Sequence, residues 1–379
     1  MRYKKEEIGK YVTLRQGFAI NKNTNHHMSE EKTNLHLLRI GDMKDNSYSI
    51  YVKDTIPENF IAGEEDIIYT RTGQVGLVFK KKYGVVHNNC FTVTSNDENV
   101  LCREYLYYAL QLKEFYEEAN SRASGAAQPD LPHGSFNSIK IFLPDIKSQR
   151  KIGEILSVYD DLIENNQKQI KLLEEVAQRL YKEWFVDLRF PGYEDIEIID
   201  GIPKGWEMNS LGEIAVLKAG GDKPSSFSKE CNSKCNVPVY SNGTKNEGLY
   251  GYTDVPVIFE NCVTISARGS VGYACLRRVP FVPIVRLISV IPKKVDLIYL
   301  YLYLKNFKFE SNGAAQQQIT VPMIKNKMIL LPEKKIQEKF LQIIVPLQDS
   351  IDNCKKQIKK LIEARDRLLP KLMDGEIEV

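Results

Sequence analysis

The sequence predicts an α+β protein with two globular domains related by pseudo-twofold symmetry. Two long helices, expected to form an antiparallel intramolecular coiled coil, separate the domains. Three observations predict this architecture: 379 residues is more than one hydrophobic core usually organises, the chain repeats itself, and each repeat ends in a heptad pattern. The expected boundaries are 1–148 for the first domain, 149–190 for the central helix, 191–335 for the second domain and 336–379 for the distal helix.

The internal repeat rests on short motifs that keep their order along the chain. Residues 69–76 match residues 265–272 around a Gly-x-x-Gly pair, and residues 124–128 match residues 312–316, Asn-Gly-Ala-Ala-Gln. The offset drifts from 203 near the starts of the repeats to 188 near their ends. This drift predicts two copies of one fold whose loops differ in length.

Each repeat begins with short runs rich in β-branched and aromatic residues, which predict strands bounded by glycine-containing turns. The predicted strands are 65–69, 75–79 and 90–94 in the first repeat, and 256–259, 262–265 and 287–290 in the second. One short helix is expected in each repeat, from Arg103 to Ala119 and from Asp296 to Phe307.

Each repeat ends in a long amphipathic helix whose seam residues alternate at spacings of four and three. The seam residues are Ile152, Leu156, Tyr159, Ile163, Asn166, Ile170, Leu173, Ala177, Leu180 and Trp184, then Phe340, Ile344, Leu347, Ile351, Cys354, Ile358, Leu361, Leu368 and Leu372. One helix alone cannot hide its seam from water, so the two seams are expected to pair. Alternatively, each helix lies on its own domain.

Four seam-related positions carry further predictions. Asn166 is a polar core position that could fix the register, with Cys354 as its counterpart. Arg365 is expected to cover the seam with its stem and to hold its guanidinium in solvent. Pro346 is expected to kink the second helix or to begin a new one.

Composition excludes several protein classes. The hydrophobic fraction of 43% excludes a mainly disordered chain, and no apolar run approaches the length of a membrane span. The seven scattered cysteines predict reduced thiols in a cytoplasm. Residues 196–335 carry 18 basic and 12 acidic side chains, which is compatible with an anionic partner such as nucleic acid.

Motifs that carry catalysis or bind metal are missing. The sequence contains no phosphate-binding G-x-x-x-x-G-K-[ST] motif and no Asn-Pro-Pro or Asp-Pro-Pro tripeptide, which an amino-methyltransferase would need. Cys231 and Cys235 have no second Cys or His pair at metal-site spacing. All five histidines fall in the first repeat, whereas catalytic histidines should be present in both repeats if each formed an active site. We therefore expect a chain that binds without catalysing a reaction.

Three motifs give the sequence a family resemblance. Residues 180–193, LYKEWFVDLRFPGY, and residues 201–206, GIPKGW, resemble the central region of specificity (S) subunits of type I restriction–modification systems. Residues 368–377 resemble that family's distal region, and residues 220–224, GGDKP, resemble its common Gly-Gly-x-x-Pro start. The first repeat departs from this start, because residues 15–18, RQGF, replace the Gly-Gly-x-x-Pro pattern. Its opening loop is therefore expected to contact DNA differently.

The resemblance implies a non-catalytic DNA-recognition subunit with two target-recognition domains. Each domain would read one half of a bipartite, asymmetric site in double-stranded DNA, and the helices would set the gap. The resemblance also implies two modification (methyltransferase) subunits that bind S-adenosylmethionine, and restriction subunits that translocate DNA with ATP and Mg²⁺. It implies no cofactor in this chain itself and no membrane.

Candidate DNA contacts are cations close to the repeated glycine turn or in neighbouring loops. They are Lys22, Lys44, Arg71, Lys80, Lys81 and Lys82 in the first domain, and Lys218, Lys223, Lys245, Arg268, Arg277 and Arg278 in the second. The small polar loops 121–128 and 312–318 are further candidates, although they could instead pack domain against helix. Trp184 and Trp206 are expected to pack where helix and domain meet.

Two other functions fit parts of the sequence. A protein-binding adaptor with helical rods and two non-DNA ligand-binding heads would also use a repeat and paired helices. A self-sufficient nuclease or methyltransferase would act without partners. The central motif and the basic segment 196–335 favour the DNA-recognition subunit.

Overall fold

The structure, a computed structural model, describes residues 3–307 and 318–379. The chain divides into two compact units. Unit 1 comprises Met1–Asn166 and Lys356–Val379, and unit 2 comprises Gln167–Lys355. Each unit therefore combines the α+β part of one repeat, here called its head, with segments of both long helices.

Unit 1 is built from short strands and short helices before its long helix begins. Its strands are β1 (Lys5–Glu7), β2 (Val12–Gln16), β3 (Met28–Ser29), β4 (Leu35–Leu38), β5 (Tyr51–Val52), β6 (Ile61–Ala62), β7 (Ile67–Thr70), β8 (Val78–Phe79), β9 (Gly84–Val86), β10 (Cys90–Ser95) and β11 (Lys140–Phe142). Its helices are α1 (Ile40–Asp45), α2 (Arg103–Ala109), α3 (Lys113–Arg122), α4 (His133–Asn137) and the start of α5 (Ile146–Tyr181). Short 3-10 turns occupy Ile8–Lys10, Asn25–His27 and Glu58–Phe60.

Unit 2 follows the same order. Its strands are β12 (Ile198–Ile199), β13 (Ile202–Pro203), β14 (Glu207–Ser210), β15 (Ala215–Ala219), β16 (Val237–Tyr240), β17 (Leu249–Thr253), β18 (Cys262–Ile265), β19 (Ala274–Arg277), β20 (Val282–Pro283), β21 (Ile288–Pro292) and β22 (Met328–Leu331). Its helices are the end of α5, α6 (Leu211–Ile214), α7 (Leu297–Asn306), α8 (Val321–Lys325) and the start of α9 (Lys334–Met373). A π-helical turn, Lys182–Val186, follows α5, and 3-10 turns occupy Tyr193–Asp195 and Lys245–Gly248.

The central sheet confirms the internal repeat. In unit 1 the antiparallel strand order is β2-β10-β7-β8, and in unit 2 it is β15-β21-β18-β19. The register agrees as well: Phe91 pairs with Gln16 and Tyr69, and Ile288 pairs with Ala219 and Ile265. Because the same motifs hold the same places in both sheets, the two heads share one fold.

Smaller sheets complete each head. Strands β1 and β11 pair in unit 1 as β14 and β22 do in unit 2. A second sheet has the order β3-β5-β4-β9-β6 in unit 1 and β17-β16-β20 in unit 2, and each contains one parallel pair, β4 with β9 and β16 with β20. The difference in strand number accounts for part of the offset drift between the repeats.

Each unit has a main hydrophobic core that joins the head to both long helices. In unit 1 the core includes Ile152 and Leu156 of α5 together with Leu372 of α9, packed with head residues such as Tyr105. In unit 2 the equivalent core contains Tyr181 of α5 and Phe340 of α9. The base of each helix thus lies on its own head, as the alternative interpretation expected, and also packs against the other helix.

The two long helices are antiparallel, because the start of each contacts the end of the other. At about 1.5 Å per residue, the 36 residues of α5 span roughly 54 Å and the 40 residues of α9 roughly 60 Å. Every residue of the two predicted seams is buried or half-buried, and none is exposed. Burial of this stripe is the main reason why two such helices pair in water.

The structure contradicts the predictions that a new helix begins at Pro346 and that the Arg365 guanidinium lies in solvent, and it confirms that Asn166 is a polar core position. Helix α9 runs without a break through Pro346, so no new helix begins there. The guanidinium of Arg365 is not in solvent, because it pairs with Asp160 at 2.7 Å. Asn166 is buried, but its side-chain amide donates to the Leu162 carbonyl of its own helix at 2.8 Å.

The short predicted elements were located with mixed accuracy. Residues 262–265 form a strand as expected, and Asp296 caps α7 through its side chain. The helix predicted from Arg103 to Ala119 is two helices, α2 and α3, because the backbone becomes extended at Leu112. Residues 256–259 form a single bridge, between Ile258 and Phe281, and not a strand.

Candidate nucleic-acid interface

The repeated glycine turn follows the third strand of the central sheet in each unit. In unit 1 Gly73 and Gly76 adopt positive φ values of 81° and 98°, and in unit 2 Gly269 and Gly272 adopt 67° and 84°. Glycine is favoured here because other residues resist this conformation. The Gly76 amide donates to the Thr70 carbonyl at 3.0 Å, as the Gly272 amide does to Ser266 at 2.9 Å.

A cluster of polar side chains holds the turn in unit 1. Arg71 donates to both carboxylate oxygens of Asp130, at 3.1 and 2.5 Å, and to the Gln16 side-chain oxygen at 2.9 Å. Thr72 donates to Asp130 at 2.5 Å, and the His133 ring nitrogen lies 3.0 Å from the Gln16 oxygen. The Arg71 guanidinium therefore donates its described hydrogen bonds to residues of unit 1.

The electrostatics of this cluster follow from these contacts. The hydrogen bond from Arg71 is the largest influence on Asp130 and holds the pKa of its carboxyl below the ordinary value. Burial lowers the pKa of His133, and the nearby charge of Arg71 lowers it further. At neutral pH the cluster thus consists of an ionised carboxylate, a guanidinium and a neutral imidazole.

The Gly-Ala-Ala-Gln loop lies directly beside the turn in unit 1. Its ends close through paired hydrogen bonds between Ser124 and Asp130, at 2.9 and 2.8 Å, and the Gly73 amide donates to the Pro129 carbonyl at 2.8 Å. Residues 124–128 are all exposed. Turn and loop form one exposed edge in unit 1, which the spacing in the sequence did not reveal.

Unit 2 shows the same attachment. The Leu131 amide donates to the Arg71 carbonyl at 3.0 Å in unit 1, and the Ile319 amide donates to the Ala267 carbonyl at 2.9 Å in unit 2. Arg268 donates to the side chain of Gln318 at 3.1 Å. The rest of the predicted loop, 312–317, lies outside the described residues.

The predicted DNA-contacting cations fall into three groups. Exposed side chains form the first group, and three of these make contacts: Lys44 with the side chain of Gln74, Arg268 with Gln318, and Lys223 with the ring of Phe227, 3.7 Å away. The members are Lys22, Lys44, Lys218, Lys223, Lys245 and Arg268. These six remain available at the surface.

The second group consists of Lys80, Lys81 and Arg278, which bind carboxylates of the long helix of their own unit. Lys80 lies 3.3 Å from Asp160, Lys81 lies 2.8 Å from Glu164, and Arg278 lies 2.7 Å from Asp352. Each cation lies just after β8 or β19 in the sequence, and its side chain contacts the long helix. Pairing of this kind competes with a phosphate contact.

The third group is held inside the heads. Arg277 is only 3% exposed; it donates to Thr264 at 3.0 Å and lies 3.7 Å from the ring of Tyr240. Arg71 belongs to the turn cluster, and half-buried Lys82 binds the side chain of Asn46. A buried arginine with these partners cannot reach a phosphate, so we remove Arg277 from the proposed contact surface.

Other predicted features lie elsewhere in the units. Trp184 and Trp206 both belong to the main core of unit 2. Cys231 is exposed and Cys235 is buried, and the described part of the chain holds no group of side chains suited to a metal ion. Across residues 3–307 and 318–379, no helix has the length and apolar character that crossing a membrane requires.

Four members of the turn cluster, Gln16, Thr72, Asp130 and His133, were not among the predicted site residues. Gln16, Asp130 and His133 come from segments far apart in the sequence, and only the fold brings them to Arg71. One signal was present for Gln16, which lies in the stretch 15–18 that departs from the Gly-Gly-x-x-Pro start.

Two long stretches of the chain match one known protein family. The family model described as the type I restriction modification DNA specificity domain matches residues 2–175 and again residues 203–364. The chain belongs to this specificity family. The resemblance seen in the sequence is therefore confirmed, and the two matches coincide with the two repeats.

Individual relatives agree with this assignment. The MjaIX specificity subunit of Methanocaldococcus jannaschii is 31% identical over 336 residues, covering 83% of this chain and 78% of the relative. A putative type I specificity subunit of Mycoplasma pneumoniae, S.MpnORF507P, is 27% identical and covers 80% of each chain. The crystal structure of a type I restriction–modification S subunit from M. genitalium shares the fold, with a TM-score of 0.61, 19% identity and coverage of 98% and 96%.

Proposed function

We propose that this specificity-family chain reads a bipartite, asymmetric site in double-stranded DNA, with one half-site for each unit. The observation that carries the proposal is the double match to the DNA specificity domain, one match for each repeat. The exposed edge of turn and loop supports it, because small polar residues with glycine allow a backbone to approach DNA closely.

Differences between the two edges support an asymmetric site. Arg71-Thr72-Gly73-Gln74 in unit 1 corresponds to Ala267-Arg268-Gly269-Ser270 in unit 2, so the shared turn carries different side chains. Bases are distinguished through the pattern of donors and acceptors that side chains present in a groove. Two heads of one fold with different edge residues are suited to two different half-sites.

The paired helices are proposed to set the gap between the half-sites and to dock two modification subunits. This role rests on the length of the helices and on their seams, whose residues lie at the same positions in both repeats. The modification subunits would supply adenine methylation with S-adenosylmethionine, and restriction subunits would supply ATP- and Mg²⁺-dependent translocation. In this proposal the chain itself catalyses nothing, acts in the cytoplasm and consists of two recognition domains, about 1–148 and 191–335, with the long helices α5 (Ile146–Tyr181) and α9 (Lys334–Met373) as spacers.

The deciding experiment is methylome sequencing of cells that express the chain with its modification subunits. The proposal expects methylated adenines in one asymmetric motif with two constant parts and a fixed gap. Exchanging one head for that of a relative should change one part of the motif only. A methylome that stays unchanged when the chain is present would contradict the proposal.

Duplex binding by the assembled complex separates DNA recognition from protein binding. A DNA reader that neutralises several phosphates loses orders of magnitude in affinity between ~50 and 200 mM salt. A helical adaptor with non-DNA ligands would show no such binding. Methyl transfer or cleavage by the purified chain alone would overturn the non-catalytic assignment.

A further inference from the structure

Two ion clusters in the molecule resemble each other. In unit 1 Lys81 contacts Asp161 at 3.1 Å and Glu164 at 2.8 Å. In unit 2 Arg278 contacts Asp349 at 3.4 Å and Asp352 at 2.7 Å. Asp349 and Asp352 lie 188 residues after Asp161 and Glu164, which is the offset of the helix seams. The carboxylates are therefore repeated with the fold, and in each unit they bind a cation that follows the central sheet.

The carboxylates occupy a face of the helix that the seam does not use. Asp161 and Glu164 are spaced three residues apart, so they project from the same side of α5, and neither is a seam residue. In each unit the two carboxylates contact a cation of the head, and in unit 2 Asp352 also accepts a hydrogen bond from Gln348 of the same helix at 3.0 Å. Both acidic pairs therefore connect a long helix to a head at positions outside the seam.

The cations follow the fourth strand of the central sheet in each head, although the strand register aligns Lys81 with Arg277, the neighbour of Arg278. Lys81 comes two residues after β8, and Arg278 directly follows β19, the fourth strand of each central sheet. Lys81 adopts a left-handed backbone conformation, with φ of 56°, and its amide donates to the Glu64 carbonyl at 2.9 Å. Side chains differ in a compensating way, because the longer Arg278 meets the shorter Asp352 where Lys81 meets Glu164.

We propose that these six residues are positioning residues which fix the angle between each central sheet and the long helix that its cation contacts. The inference rests on the proposed function, and deepens it: the two clusters determine how strictly the complex requires one gap length between the half-sites. Most of the six side chains are partly exposed, so their substitution should leave the packed cores, and hence the fold, intact.

The first test measures orientation without DNA. In the full chain, Cys231, the exposed cysteine, is replaced by Ser, and spin labels are attached to Asn59→Cys in the head and Lys151→Cys on α5. Double electron–electron resonance should give a narrow distribution of the distance between the two spin labels. Lys81→Glu should broaden it, and the charge swap Lys81→Glu with Asp161→Lys and Glu164→Lys should narrow it again. The control Lys32→Glu, an exposed lysine of the same head, should have no effect.

The second test measures gap selectivity in the assembled complex. Methylation rates are compared on duplexes that carry the mapped site with its native gap and with one base pair added or removed. Lys81→Glu and Arg278→Glu should each lower the preference for the native gap by about two- to fivefold, and the charge swap should restore it. Lys229→Glu is the matched control in unit 2.

The outcomes separate this inference from the proposed function. Unchanged distance distributions in Lys81→Glu overturn the positioning role, whatever the complex does on DNA. Broadened distributions with unchanged gap preference overturn the link to the gap. A wild-type complex that methylates no bipartite site contradicts the proposed function, while the distance measurement still decides whether the clusters orient the heads.

Discussion

The guanidinium of Arg365 donates a hydrogen bond to Asp160 at 2.7 Å, although 205 residues separate them. Arg365 lies near the end of α9 and Asp160 lies in the first half of α5, so the contact records the antiparallel pairing inside unit 1. Tyr108 of the head donates to the same carboxylate at 2.7 Å, and Lys80 lies 3.3 Å from it. One carboxylate thus joins two helices and a head.

Removing the charge of Asp160 should destabilise unit 1. Asp160→Asn keeps the shape of the side chain but leaves Arg365 and Lys80 without their shared counter-charge at a site only 14% exposed. We expect a loss of about 2 kcal/mol in the free energy of unfolding, measured by denaturant titration. The control Asp366→Asn removes an exposed partner of Arg365 and should cost well under ~1 kcal/mol. Equal unfolding midpoints for Asp160→Asn and wild type would contradict this role.

The stability contributed by Asp160 should depend on pH. Burial would raise the pKa of Asp160, but hydrogen bonds from Tyr108 and Arg365 outweigh burial, and the pKa lies below its ordinary value. A carboxyl whose pKa is lower in the folded state stabilises the fold above its unfolded pKa, about 3.9, and loses this effect as the pH falls through the folded pKa. The stability difference between wild type and Asp160→Asn should therefore be constant near neutral pH and shrink below about pH 4. A difference that persists unchanged in acid would rule out this origin.

The architecture could be predicted because its signals are local and repeated. Alternation at four and three residues marks the faces that α5 and α9 bury, and the Gly-x-x-Gly pairs mark turns that need positive φ. Both signals occur twice in the same order. The run 256–259 was misjudged, because an apolar β-branched run does not reveal whether a partner strand is present.

The candidate site was less predictable, because pairing between distant residues is a property of the tertiary structure. Arg277 and Arg278 are neighbours of identical type, yet one is buried against Tyr240 and the other binds Asp352 on α9. Sequence reasoning treated both as phosphate contacts. The acidic pairs at the 188-residue offset were a usable signal, since they repeat at positions outside the seam.

A close backbone approach should make Gly220 intolerant of any side chain. A Cβ at Gly220 would lie 2.7 Å from the backbone carbon of Pro283, whereas a Cβ at Gly221 would meet nothing within 4 Å. Gly220→Ala should cost about 1–3 kcal/mol in the free energy of unfolding, because the backbone must move apart. The adjacent control, Gly221→Ala, should be neutral or slightly stabilising. Comparable losses in both variants would contradict the packing argument.

Replacing Pro346 should stabilise α9. The proline lies inside a continuous helix, is exposed, and cannot donate a backbone hydrogen bond to the preceding turn. Pro346→Ala restores that donor without removing a buried contact, and should raise the free energy of unfolding by about 1–3 kcal/mol. Gln342→Ala, at another exposed position of the same helix, measures the gain from helix propensity alone. A lower melting temperature for Pro346→Ala would indicate that the proline has a packing role.

The two arginines of the repeated turn should respond differently to substitution, because their charges are used differently. Arg268 is exposed and binds only an amide among its described partners, whereas Arg71 is neutralised by Asp130. In the assembled complex, Arg268→Ala should weaken duplex binding and reduce the slope of log affinity against log salt by about 1. Arg71→Ala should weaken binding through a loosened turn, with the slope unchanged, since its positive charge is already compensated inside unit 1. Titrations between ~50 and 200 mM salt measure both slopes. An equal fall in slope for the two variants would mean that Arg71 leaves Asp130 and contacts phosphate when DNA binds.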